Sequence, residues 1–152
     1  MRRIVARQAV LADLEALAPL FDRYRQFQGQ PADPAAASAF LRARFEHGQS
    51  VLFVADDAGA AIGFAQLYPS FSSVSLSRAF ILNDLFVAET GRRQGVASAL
   101  LAAVEAYAWA CDAARVTLNV ARDNVSAQAL YRSRGWTPDT QFHMFHRFAP
   151  TG

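Results

Sequence analysis

The chain of 152 residues contains no lysine; all fifteen basic side chains are arginine. A Walker-type phosphate loop, which ends in Gly-Lys-Ser/Thr, is therefore excluded. Cysteine occurs once, as Cys111. No internal disulfide can form, and a single free thiol suits a reducing cytoplasm. No long apolar run is free of charge. The longest, Val96 to Ala114, contains Glu105 and Asp112 and reads as a packed helix, not a membrane span. Arg2 and Arg3 look like the start of a signal peptide, but Arg7 and Asp13 interrupt any apolar segment behind them. The net charge is only +2 and the arginines are scattered, which argues against a nucleic-acid partner. No Cys/His/carboxylate cluster supports a metal. His143 and His146, three apart in an expected strand, fall on opposite faces.

What is present is a well-mixed series of apolar elements, 53% hydrophobic and long enough for one domain spanning residues 1–152. Arg3 to Gln8 reads as a strand. Asp13 is placed to cap a helix carrying Leu14, Leu17, Phe21 and Tyr24, which Pro19 is expected to kink. Asp33 and Pro34 start a second helix, with Phe40, Leu41, Arg44 and Phe45 on one face and Gly48 at its end. Ser50–Asp56 and Ala60–Tyr68 form a hairpin about Asp57-Ala58-Gly59. The serine-rich stretch 69–78 reads as a loop. Ala79–Val87 and Arg115–Ala121 read as strands, and Trp136–Phe148 as one or two more. Cys111, on the period of Val96, Leu100, Val104 and Tyr107, is expected to pack as a small hydrophobe.

Between the strand ending at Val87 and the helix beginning at Val96 lies Arg92-Arg93-Gln94-Gly95-Val96-Ala97. A turn that opens a helix offers unpaired N–H groups and the positive end of the helix dipole. Gly95 lets an anion approach the backbone, and Arg92 and Arg93 add permanent charge. Only one glycine is present, so the Rossmann fingerprint does not fit. The pattern Arg-x-x-Gly-x-Ala resembles the pyrophosphate loop of the GNAT acetyltransferases. A second stretch, Asn124 to Trp136, carries Asn124, Ala127, Leu130, Tyr131, Gly135 and Trp136 at that family's spacing. The resemblance covers roughly Ile4 to Phe148.

The resemblance implies an α/β GNAT fold: a mixed, mostly antiparallel central sheet of six to seven strands with helices on both faces. It implies transfer of acetyl from acetyl-coenzyme A to an amine, by direct attack. The amides of Gln94 through Ala97, with Arg92 and Arg93, would hold the pyrophosphate. The strand end Leu85-Phe86-Val87, splayed by a bulge, would pair with the pantetheine arm and offer an oxyanion donor. Tyr131 lies where the family's general acid sits, though it could alternatively only pack. Asn124 is either a cofactor contact or simply a helix cap. The two N-terminal helices would wall the acceptor site, with Tyr24, Phe27, Tyr68 and Phe71 as lining. An aromatic lining favours a monoamine, or an amine beside an apolar group, over spermidine. Diamine acetyltransferases resemble the chain at Leu82–Val87, but their presumed base, a glutamate, is replaced by Asn83, which accepts no proton. Asp84 remains, and alternation turns it to the opposite face unless a bulge reorients it. The acceptor is expected to be a small molecule. Alternatives are a protein amine or a coenzyme A-binding regulatory module without turnover. A homodimer is compatible with the family, but no stretch of sequence fixes it.

Overall fold

Two consecutive apolar runs build the centre of the sheet. In the computed structural model, which describes residues 3–151, Val51–Asp57 (β2) and Ala60–Ser72 (β3) pair antiparallel through a two-residue turn. Ala58 and Gly59 both have positive φ, 51° and 94°, as a tight hairpin turn requires. The Gly59 N–H donates to Asp56 Oδ1 at 2.7 Å. Ile4–Gln8 (β1) adds to the far side of β2, and Ser77–Val87 (β4) to the far side of β3, both antiparallel. Ala113–Thr117 (β5) lies parallel to β4, giving the order β1-β2-β3-β4-β5. Arg2 lies outside the described residues.

Alternation decides which helix each strand residue meets. Leu14–Phe27 (α1) and Pro34–Glu46 (α2) pack on Leu52, Val54 and Phe64. Val96–Ala110 (α3) covers the other face, where Phe53 and Phe80 meet the Tyr107 ring edge-on, each at 5.7 Å. Buried side chains of this size each contribute roughly 1.5–3 kcal/mol relative to exposure. Helices on both faces and a mostly antiparallel mixed sheet match expectation; the strand number does not.

Among the described residues the sheet has five strands instead of six or seven. The stretch 136–148 has strand-forming side chains but joins no ladder among the described residues, and a strand without a partner is not stable. The argument that placed His143 and His146 on opposite strand faces therefore does not hold. The expected loop 69–78 is mostly strand: β3 runs to Ser72 and only the turn 73–76 is irregular. Pro69 is tolerated because β3 has outrun β2, whose pairing ends at Val51↔Leu67, so no donor is missed on that side. Tyr68 and Phe71, three apart in this strand, point to opposite faces, so Phe71 does not share a site with Tyr68. β5 starts earlier than expected and stops at Thr117.

Asp33 caps α2 as expected, accepting from the Ala36 N–H at 3.2 Å. Asp13 does not cap α1. A single 3₁₀ turn precedes α1, so the Asp13 carboxylate reaches back to the Val10 N–H at 2.7 Å and binds Arg7 at 2.8 and 2.9 Å. Pro19 sits on the exposed side of α1, which runs on unbroken to Phe27. Cys111 is the half-buried C-cap of α3 and not a core residue.

One glycine sets how closely α3 approaches the sheet. A Cβ on Gly63 would lie 3.0 Å from the Phe86 carbonyl oxygen, 3.1 Å from Val96 Cγ1 and 3.3 Å from Leu100 Cδ1. Gly63→Val should push the first turn of α3 outward and cost about 1–3 kcal/mol by overpacking. Urea denaturation reads this directly, and an unchanged midpoint would mean that α3 is not seated on Gly63.

Candidate functional site

Contacts divide the chain into two compact units, one up to Asn119 and one from Val120 onward. In the first unit, β4 leads through a 3₁₀ turn at Glu89–Gly91 into the basic loop and α3. Gly95 is the N-cap, with φ 75° and ψ 15°, and Arg93 also has a positive φ of 61°. No atom lies within 4 Å of where a Gly95 Cβ would stand, so the space outside this residue is open. At the start of α3, the N–H groups of Gly95, Val96 and Ala97 have no carbonyl of the helix itself to donate to. Val96 is buried and anchors the turn to the sheet. Arg92 Nε donates to the Val87 carbonyl at 3.3 Å, and its guanidinium lies 5.8 Å from the Phe27 ring centroid. Gln94 Nε2 donates to the Thr90 carbonyl at 3.0 Å. The result is a fixed, cationic ring of donors at a helix N-terminus, suited to an anion such as pyrophosphate.

The strand before the loop is half unpaired. β5 pairs with β4 only from Arg78 to Ile81, while β4 continues to Val87. The Ala88 N–H donates to Ile62 of β3 at 2.8 Å, so by alternation the N–H groups of Leu85 and Val87 point away from β3, toward the edge that β5 has left. That open edge can take an extended chain bearing amides.

The expected bulge is present, but earlier than the strand end. Gln66 pairs with Asp84 and Leu67 with Leu82, which leaves Asn83 as the extra residue. The bulge resolves the question of Asp84. Phe80, four residues before it, faces α3, whereas Asp84 turns to α1 beside Phe86 and Phe64. Gln66 Nε2 donates to Asp84 Oδ2 at 2.7 Å, Asn83 Nδ2 donates to Oδ1 at 3.0 Å, and the Tyr24 hydroxyl donates as well. Burial raises the Asp84 pKa, and these three donors pull against the rise. The Tyr24 ring packs on Phe86 at 5.7 Å, and Phe27 on the same ring at 6.1 Å. Beyond Phe27 and Phe86, a groove of about 510 Å³ is bounded by Gln26, Ala88, Thr90 and Arg92. Tyr68 is half-buried on the same face as Gln66, and burial pushes its phenol up to about 12.

The second unit holds Val125–Ser133 (α4). Asn124 caps it, accepting from the Ala127 N–H at 3.2 Å, which by itself accounts for this residue. Gly135, at φ 91°, ends it, and the Trp136 N–H returns to the Tyr131 carbonyl at 3.0 Å. Tyr131 is half-buried with its ring 5.9 Å from Trp136, and burial raises its pKa.

Residues 14–136 match the Acetyltransferase (GNAT) family. This chain belongs to the GNAT acetyltransferase family. It is 46% identical over 136 residues to YhfO, an uncharacterised N-acetyltransferase of Bacillus subtilis, across 90% of this chain and 91% of that protein. A probable acetyltransferase of Haemophilus influenzae is 34% identical over 115 residues, across 75% of this chain and 79% of the relative. The crystal structure of a probable acetyltransferase superposes with a TM-score of 0.90 at 41% identity, covering 99% of both chains. The GNAT chain is thus an acetyl-coenzyme A-dependent acyltransferase. Among the described residues no group of three or more His, Cys, Asp or Glu could hold a metal, and no helix is long and apolar enough to cross a membrane.

Of the residues singled out in the GNAT sequence, the first unit gathers Tyr24, Phe27, Asn83, Asp84 and Phe86 along one side of β4, and Arg92 to Ala97 at its end. Gln66 was missed. A lone amide inside the apolar run Ile62–Leu67 was the available signal, since a buried polar side chain needs a partner.

The Asp84 carboxyl carries a stability consequence. Its pKa is raised above the ordinary 3.8, so folding favours the protonated form. Its contribution is complete below about pH 4 and is lost as pH rises through the folded pKa. Asp84→Asn, which cannot ionise, should gain stability relative to the wild type over that rise. Urea midpoints between pH 4 and 8 test this, and a difference independent of pH would contradict it.

Proposed function

We propose that this acetyltransferase moves the acetyl group of acetyl-coenzyme A to the primary amine of a small molecule, by direct attack in a ternary complex. The observation that carries the reading is the pairing of a free-amide loop with an open strand edge on one side of a buried carboxylate. Acetyl-coenzyme A supplies an acetyl activated as a thioester. The residues fit it: the first N–H groups of α3 have no carbonyl of the helix to donate to, and a Cβ at Gly95 would meet no neighbouring group within 4 Å. Arg92 and Arg93 would neutralise pyrophosphate there. Leu85 and Val87 would hold the pantetheine amides along the open edge and offer an N–H to the developing oxyanion.

The acceptor side is α1 and the bulge. A groove of about 510 Å³ has the scale of a small-molecule site. Phe27 and Phe86 line this groove, the Tyr24 ring packs on Phe86, and Asn83 is exposed on β4. An amine of pKa near ~10 must lose a proton before it attacks. Asp84 is the acceptor of that proton, through water, because the carboxyl itself is only 5% exposed. The family match, residues 14–136, runs across the boundary between the two units, which supports reading the chain as one acetyltransferase domain. The single free cysteine supports a cytoplasmic location.

Tyr131 is the proton donor to the departing thiolate. Its phenol is raised by burial and therefore stays protonated well into the alkaline range. Tyr131→Phe keeps the ring against Trp136 and removes only the hydroxyl. Free-thiol release with a panel of amines should fall by roughly 10²-fold or more in turnover, with affinity for coenzyme A retained. In the wild type the rate should rise with pH as the amine deprotonates, then fall only above the ordinary phenol value of ~10. The variant should lack that upper limb. Unchanged turnover on the best amine would reduce Tyr131 to a packing residue. Peptide amines outperforming every small amine would overturn the substrate class.

A further inference from the structure

Arg23, Gln26 and Phe27 share one face of α1 at helical spacing. They form one wall of the groove of about 510 Å³, and the end of β4 with the turn after it supplies Phe86, Glu89 and Arg92 to the other. Phe27 is 70% exposed, with its ring 6.1 Å from that of Phe86. Aromatic rings left open in a groove offer a surface to the hydrocarbon of a ligand.

The charges in this groove do not balance. Arg92 is anchored beside it: Nε donates to the Val87 carbonyl at 3.3 Å, and the guanidinium lies within cation–π range of Phe27, at 5.8 Å. Neither Arg92 nor Arg23 forms an ion pair among the described residues. Arg23 is exposed one turn before Phe27. Its neighbour in sequence, Asp22, is buried and engaged elsewhere, accepting from the Asp33 N–H and from Gln26 Nε2, each at 3.0 Å, and lying 3.8 Å from Arg25. Glu89 is thus one carboxylate against two guanidiniums in the groove lining. A second cation on the acceptor would add to an excess of like charge. A carboxylate or a phosphate would offset it, and the planar guanidinium meets either with two parallel N–H donors. The groove reaches β4 at Phe86, between Leu85 and Val87, whose N–H groups face the open edge.

We infer that this groove is the subsite for an anionic end of the acceptor, with Arg23 and Arg92 holding its carboxylate or phosphate and Phe27 and Phe86 its hydrocarbon. This rests on the acetyl-transfer reading and narrows the acceptor to an amine that also carries an oxyanion.

The test varies the charge on the acceptor. Hexylamine, 6-aminohexanoate, 6-aminohexyl phosphate and 1,6-diaminohexane differ only at the end remote from the amine. Phenylalanine against 2-phenylethylamine places a carboxylate next to it. The readout is kcat/KM by thiol release. In the wild type an anionic acceptor should exceed its neutral match by roughly tenfold or more, and the preference should shrink as salt is raised. The carboxylate and phosphate arms show which oxyanion is taken. Arg23→Glu should abolish or reverse the preference through KM, with coenzyme A affinity and the urea midpoint unchanged, because Arg23 is exposed and outside the cofactor loop. Glu89→Gln should strengthen the preference. Arg92 is left intact, because its loop also serves the cofactor. A wild type that prefers the neutral amine or the diamine overturns the inference while leaving acetyl transfer intact. So does an anionic preference that survives Arg23→Glu. If no amine of any kind releases thiol, the acetyl-transfer reading fails and this inference falls with it.

Discussion

The extra residue at Asn83 makes β4 two strands in one. Before it, Phe80 and Leu82 belong to the hydrophobic face under α3. After it, Asp84 and Phe86 look toward α1. The shift places a carboxylate on the face under α1, while the odd-numbered amides of Leu85 and Val87 keep the free edge. β5 ends its pairing at Ile81, so the edge opens immediately before the bulge. Without the bulge, alternation would put Asp84 under α3 and Leu85 under α1, and neither side of the site would have its chemistry.

The other requirement is that α3 begin close to β4. Gly63 permits this from beneath, since a side chain there would meet Val96 and Leu100. Gly95 permits it from the loop, since its left-handed backbone lets the chain turn straight into α3 with no side chain at the helix start. Both glycines act by leaving space, one beneath α3 and one on the open side of the loop. The aromatic cluster of Phe21, Tyr24, Phe64 and Phe86 then holds α1 against the same part of the sheet.

Features that demand a particular backbone were legible in the chain. Gly95 and Gly135 both have positive φ, and each ends or begins a helix where the sequence pattern placed the boundary. The two helix caps, Asp33 and Asn124, were legible for the same reason: the chemistry is local. What depends on a neighbouring strand was not. The bulge is a property of the pairing between Gln66 and Leu67 on one strand and Leu82 and Asp84 on the other, and no single stretch encodes it. Serine and proline at 69–78 suggested a loop, yet β4 supplies partners that carry β3 to Ser72. The aromatic stretch after Trp136 has strand propensity and no ladder among the described residues, so the sheet count came out too high. Asp13 was misjudged because a short 3₁₀ turn shifted it from cap to ion-pair partner of Arg7.

The central claim is that the open edge of β4 and the first amides of α3 form one continuous receptor for coenzyme A. Backbone amide resonances recorded while coenzyme A is titrated into the protein test it most directly. The account predicts large, saturable shifts at Leu85, Val87, Gly95, Val96 and Ala97, with one shared dissociation constant. Shifts that leave these amides unmoved, or that move the loop and the strand edge with different affinities, would contradict it.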